Sequence, residues 1–198
     1  MSHDRAFACN TTRREMLGRI ACLPLVAGVA GQSACSTALP EGVEVVTGFD
    51  VRRYSGLWYE IARLDHSFER DLTHVTARYR MQGDGSVAVT NRGFNTEKQS
   101  WKEAQGTAKF TGPGDRGSLK VSFFGPFYGG YHVVALDPAY QWSMVMGPDT
   151  GYLWILSRTT ELPAGIKELL LAKAKMLGVQ TDQLIWVDHA SKTPAPPG

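Results

Sequence analysis

The side chains able to do covalent or metal chemistry are few in this chain and poorly spaced for it. Its three cysteines are Cys9, Cys22 and Cys35. The first two fall in a stretch that reads as a leader, so Cys35 is the only thiol expected after processing. His66, His74, His132 and His189 are scattered, with no i, i+4 pair and no short-loop pair of the kind that holds a metal. Ser55 and Ser157 have no Asp and His at spacings that suggest a triad. Gly112-x-Gly114 is a turn rather than a phosphate loop, because no helix follows it. The expectation is no catalytic residue, no metal and no cofactor.

Non-covalent chemistry remains. Trp58 opens the first of a string of strands, in Gly56-Leu57-Trp58-Tyr59-Glu60, and Arg158 closes the last, in Tyr152 to Arg158. If those two strands are neighbours, as they are in a closed barrel, the guanidinium can lie over the indole. Desolvated, such a pair contributes about 1–2 kcal/mol. It would shut one end of the barrel and leave the other open.

The elements that must position these groups are legible as short runs of β-formers between turn signals. The runs are 57–64, 73–81, 86–92, 101–110, 119–124, 131–136, 142–146 and 152–157. Turns fall at Gln82-Gly83-Asp84-Gly85, Gly112-Pro113-Gly114-Asp115, Gly125-Pro126, Asp137-Pro138 and Pro148-Asp149-Thr150-Gly151. Residues 49–54 fit a one-turn helical plug. Pro163 and Gly178 bracket one helix whose Ile166, Leu169, Leu170, Ala174 and Leu177 form an apolar stripe. A last strand follows at 184–187. The pattern predicts an all-β fold: an eight-stranded up-and-down antiparallel β-barrel with one C-terminal α-helix packed outside.

Strand parity then nominates a cavity wall. Arg158 must face inward to reach Trp58, so Trp154 and Leu156 face inward too. The same parity from Trp58 places Glu60 and Ala62 inside. Tyr128 and Tyr131, beside Gly129-Gly130, either line the mouth or form an exposed aromatic loop. A buried Glu60 must be paired or protonated.

Gly56-x-Trp58 with a closing Arg158, and the looser Asp137-Pro138-Ala139-Tyr140, resemble the lipocalin pattern. The stretches 121–131 and 152–158 resemble bacterial outer-membrane lipocalins in particular. This resemblance runs from about Gly42 to His189. It implies a calyx for a fatty acid such as palmitate or for a lysophospholipid, and a possible homodimer. It implies Gly56, Trp58 and Arg158 as the closing motif; beside it, the reading of the residues puts Trp154, Tyr128, Tyr131, Glu60, Ala62 and Leu156 at the ligand. A lipid-modifying enzyme, or another small barrel of the haem- or biotin-binding kind, are the alternative readings.

The first 34 residues read as an export signal: Arg13 and Arg14, then a mostly apolar run, then small residues. Residues 12–17 resemble a twin-arginine signal, and Ala34-Cys35 resembles the end of a lipobox in which Cys35 is acylated. The rival is ordinary cleavage after Ala38. Four arginines and two acids before residue 35 account for the whole net charge of +2. The remainder is neutral, with no electrostatic footprint for nucleic acid. The expected organisation is a signal at 1–34, a lipidated tether at 35–48, the barrel with its helix and final strand at 49–190, and a tail at 191–198. The expected location is the outer membrane, by an N-terminal lipid.

Overall fold

The computed structural model describes residues 37–193 and residue 195; the leader and Cys35 lie outside the described residues. Eight strands follow one another: β1 Gly56–Arg63, β2 Leu72–Met81, β3 Val87–Asn95, β4 Ser100–Phe110, β5 Ser118–Phe124, β6 Phe127–Leu136, β7 Trp142–Met146 and β8 Leu153–Ser157. Each pairs antiparallel with the next, and β1 pairs with both β2 and β8, so the sheet closes into the expected barrel. Closure gives every barrel strand a partner on both sides over at least part of its length. The turns β2–β3, β4–β5 and β6–β7 share one end of the barrel with the start of β1. The β1–β2, β3–β4, β5–β6 and β7–β8 connections share the other.

The seam between β1 and β2 is only half zipped. These strands pair from Gly56↔Tyr79 to Tyr59↔Thr76 and then part. Bulges lie at the parting, between Glu60 and Ala62 in β1 and between Thr73 and Thr76 in β2. A ninth short strand, β9 Ile185–Trp186, pairs there with Ala62 and Arg63. Val187 N–H donates to Ile61 O and His74 N–H to Asp188 O, which satisfies backbone that the parting strands leave exposed.

Two apolar clusters lie on the two faces of the barrel wall. The inner one gathers Trp58, Tyr79, Val87, Val89, Leu119, Val145 and Leu156. The outer one packs helix α2, after a one-turn α1 (Val51–Tyr54), against the wall: Leu170 and Ala174 meet Ile61, Ala62, Met144 and Ile155. Helix α2 spans Ile166–Met176. Its end is a Schellman motif. Gly178, at φ 80°, directs its N–H to Lys175 O, and Val179 N–H reaches Ala174 O.

Three sequence expectations need correction. Leu169 is 52% exposed and not part of the buried helix stripe; Leu171 packs there instead. Strand β6 begins at Phe127, so Gly129-Gly130 lies inside a strand and not in a loop. The segment before residue 49 is held to the wall: Val43 is buried, and Val46 N–H donates to Val133 O while Val46 O accepts from Gly117 N–H.

Candidate functional site

The closed end is assembled from three separated pieces of chain. The first is α1, capped by Asp50, whose carboxylate accepts from Arg52 N–H. The second is the β6–β7 turn. Asp137 accepts there from Ala139 and Gln141 N–H, Tyr140 receives Asp50 N–H on its hydroxyl, and Arg53 lies 4.1 Å over the Tyr140 ring. The third is Arg158, one residue beyond β8. Its guanidinium lies 3.8 Å over the Trp58 ring. It also donates to Leu57 O at 2.7 Å, Arg53 O at 2.8 Å, Tyr54 O, Ser55 O and Tyr140 O. Trp58 is completely buried and gives its indole N–H to Tyr54 O at 2.7 Å. Gly56 is required here: its φ is +102°, and a Cβ would stand 3.3 Å from an Arg158 nitrogen.

Above this floor the barrel encloses a cavity of about 760 Å³, within the range of small-molecule sites. Its walls are mostly apolar, including Val75, Val87, Val89, Ala108, Val121 and Leu156. Trp154, Leu156, Glu60, Tyr128 and Tyr131 all line it; Trp58 lies beneath it, in the closed end. Tyr131 links Tyr54 and Tyr79 through hydroxyl contacts of 2.8 Å each, and Tyr54 also meets Ser143. Burial raises the Tyr54 phenol to about 12 and pushes those of Tyr79 and Tyr131 well up, so the three stay neutral hydroxyls.

Ala62 does not line the cavity. The bulge inserts a residue at Ile61, so Ile61 and Ala62 both join the outer cluster. Inward parity passes from Glu60 to Arg63. The consequence is a buried polar group in the upper wall that parity from Trp58 misses. Arg63 Nη1 meets Glu60 at 2.8 Å, Arg63 Nη2 donates to Glu69 O at 2.7 Å, and the Trp154 indole N–H donates to the Glu69 carboxylate at 3.0 Å. The guanidinium meets Glu60 at its carboxylate and Glu69 at its backbone carbonyl. Burial, then the Glu69 charge, holds Glu60 well above the usual carboxylate range despite Arg63.

The sign of the resulting pH dependence follows. A glutamate whose folded pKa is raised binds a proton that the unfolded chain gives up near 4.5. Its stabilisation is complete below that pH and is lost as pH climbs through the raised folded value. Glu60→Gln, which keeps the neutral shape, should therefore gain on the wild type as pH rises above about 4.5, by at most about 1.4 kcal/mol per pH unit. Urea midpoints of both proteins across that range check it, and parallel curves would refute it.

The open end carries residues that sequence reasoning missed. Phe68 in the β1–β2 loop, Phe124 and Phe127 of the β5–β6 hairpin and Tyr152 before β8 form its rim. His66, sandwiched between Phe68 and Tyr152 with stacked rings, is pushed down to about 4 by burial, then by Arg63. The sequence signals available were the Phe-Phe-Gly-Pro-Phe-Tyr run at 123–128 and the Ile61-Ala62 doublet that breaks the alternation. Among the described residues, no three His, Cys, Asp or Glu are grouped to hold a metal.

Comparison with known proteins matches this geometry. A lipocalin-like domain is recognised over residues 49–189. The chain is 50% identical over 169 residues to outer membrane lipoprotein Blc of Citrobacter freundii, covering 83% of this chain and 96% of that one. It is 50% identical over 171 residues to the protein of the same name from Escherichia coli K12, covering 84% and 97%. Among solved structures, insecticyanin of the tobacco hornworm Manduca sexta superposes with a TM-score of 0.60 at 22% identity, covering 75% of this chain and 85% of that one. At that identity the likeness speaks for the fold alone.

Proposed function

Because this chain belongs to the lipocalin-like family, a family of binding proteins and not of enzymes, we propose that its barrel takes up the acyl chain of a fatty acid or lysophospholipid and releases it unchanged. Binding of a hydrophobic ligand goes with the family, and the close relatives make this a lipid-anchored protein of the outer membrane. The single observation carrying the finer reading is the cavity: about 760 Å³, mostly apolar in its walls, shut by Trp58 and Arg158 below and open above. Such a shape suits one flexible chain entering tail first, with its polar head near Glu60, Glu69 and Trp154 at the upper wall. Storing the lipid or carrying it between membranes would use the same pocket.

Trp154 supplies the experiment. It is half-buried, lines the cavity, and is the tryptophan whose surroundings a chain would change from water to hydrocarbon. Titrating delipidated protein with a lysophospholipid should shift its emission, and Trp154→Phe should remove most of that shift. A change that persists undiminished in the variant would place the ligand elsewhere.

Attachment is proposed through Cys35, the last cysteine of the chain and the residue after Ala34 at the end of the apolar run. Cys35→Ala should move the protein from the membrane fraction to the soluble fraction. A variant that stays with the membrane would mean another anchor.

A further inference from the structure

We propose that the closed end of the barrel carries an oxyanion site on its outside, where Arg52, Arg78 and Arg80 hold a phosphate group, free or borne by a lipid head. It is separate from the cavity and does not depend on what the cavity holds.

The site is built by a gap in the wall. Strand β1 begins at Gly56, opposite Tyr79, so β2 runs on past it through Arg80 and Met81. Arg52 of α1 and its C-cap Ser55 stand at that gap. With Gly56 and residues 78–81 they line an open hollow of about 410 Å³. The Tyr79 ring belongs to the inner cluster, so Arg78 and Arg80 point outward, about 7 Å apart along the strand. Arg52, Arg78 and Arg80 are all exposed.

What sets these arginines apart is the lack of a counter-charge. Among the described residues the ion pairs are Arg63–Glu60, Arg70–Asp65 and Arg92–Glu103. Arg92 shows the usual arrangement on this sheet: the register sets it opposite Glu103, and the two meet at 2.7 Å. Arg78 has Leu57 on one side and Thr90 on the other. Arg80 has Ala88 on one side and the gap on the other. The acids of the adjoining segments are occupied. Asp50 accepts from Arg52 N–H and caps α1, and Asp84 accepts from the N–H and hydroxyl of Ser86. Arg53 and Arg158, close by, are held by Pro138 O and by the carbonyls around Trp58. The chain beyond the leader is neutral, so this is a local concentration of charge and not general basicity. Cations this close repel one another, which a bound anion relieves. A guanidinium presents a fork of N–H donors matched to phosphate oxygens, and three around one hollow can meet a phosphate from several sides.

The test follows the arginine Nε–H signals of isotope-labelled protein by NMR. The titrants are inorganic phosphate, glycerophosphoglycerol (the head of phosphatidylglycerol without its acyl chains) and sodium chloride at matched ionic strength. The expected result is that the Arg52, Arg78 and Arg80 signals move and saturate with phosphate while those of Arg53 and Arg158 stay. Saturation at lower concentration by glycerophosphoglycerol assigns the site to a lipid head, and by inorganic phosphate to the free ion. Arg78→Gln and Arg80→Gln should each weaken binding about two- to five-fold, the range for an exposed ion pair, and the double variant should not saturate. Both positions are exposed, so the fold and the Trp154 response to lysophospholipid should be unchanged in these variants. Arg70→Gln, which removes the same charge at the other end of the barrel, should leave phosphate binding as it was. Shifts that chloride reproduces, that grow without saturating or that survive the double variant overturn the site. Equal weakening by Arg70→Gln would reduce it to a long-range field and overturns it too.

Discussion

Trp58→Ala is expected to lower stability by about 3–5 kcal/mol, the range for deleting a large buried aromatic that its surroundings cannot refill. For a domain of this size that is a fall in Tm of roughly 6–20 °C. The site cannot collapse easily. The Tyr54 ring stands 4.8 Å from the indole, Arg158 lies 3.8 Å over it, and Tyr54 O loses its indole donor. Thermal and urea unfolding of both proteins measure it. A loss below about 1 kcal/mol would mean that the indole is not a keystone of the closed end.

Arg158→Ala is expected to cost about 2–4 kcal/mol, because charged donors to carbonyls contribute more than neutral ones and their removal strands the acceptors. The guanidinium serves five carbonyls from α1, the start of β1 and the β6–β7 turn. It is only half-buried, so water recovers part of the loss. Arg158→Lys should recover less than half of the deficit: an ammonium has three donors on a point, and the site is matched to a flat fork. Full rescue by lysine would show that charge alone matters there.

The barrel was legible because each strand announced itself locally, by β-formers at alternate positions and by turn dipeptides at the hairpin ends. Trp142–Met146 was placed to the residue. The closed end was legible for a different reason. Closure of a barrel makes the first and last strands neighbours, so Trp58 and Arg158 could be paired across a hundred residues from topology alone. Parity along β8 also put Trp154 and Leu156 on the cavity side.

What was not legible depends on long-range register. The bulge at Ile61 arises where β1 leaves β2 for β9; the Ile61-Ala62 doublet breaks the alternation but does not say on which side of it the parity changes. One inserted residue turned Ala62 outward and Arg63 inward, and with Arg63 came the polar group with Glu60 and Glu69. Glu69 lies in a connecting loop, where periodicity carries no information about direction. The β5–β6 hairpin was hidden by its own glycines: Gly129-Gly130 signals a turn, yet both residues are in β6, where Gly130 pairs Lys120 and a Cβ would meet the His132 ring.

The central claim is that the cavity holds one acyl chain and returns it intact. The most direct measurement is a titration of delipidated protein with lysophospholipids of one head group and increasing chain length, with mass analysis of the recovered lipid. Each methylene buried contributes about 0.8 kcal/mol. Kd should therefore fall about four-fold per added methylene until the chain fills the cavity, then level, with the lipid recovered whole at one per protein. An affinity indifferent to chain length would contradict the cavity as the binding site. Recovery of cleaved lipid, abolished by a single substitution, would contradict binding without turnover.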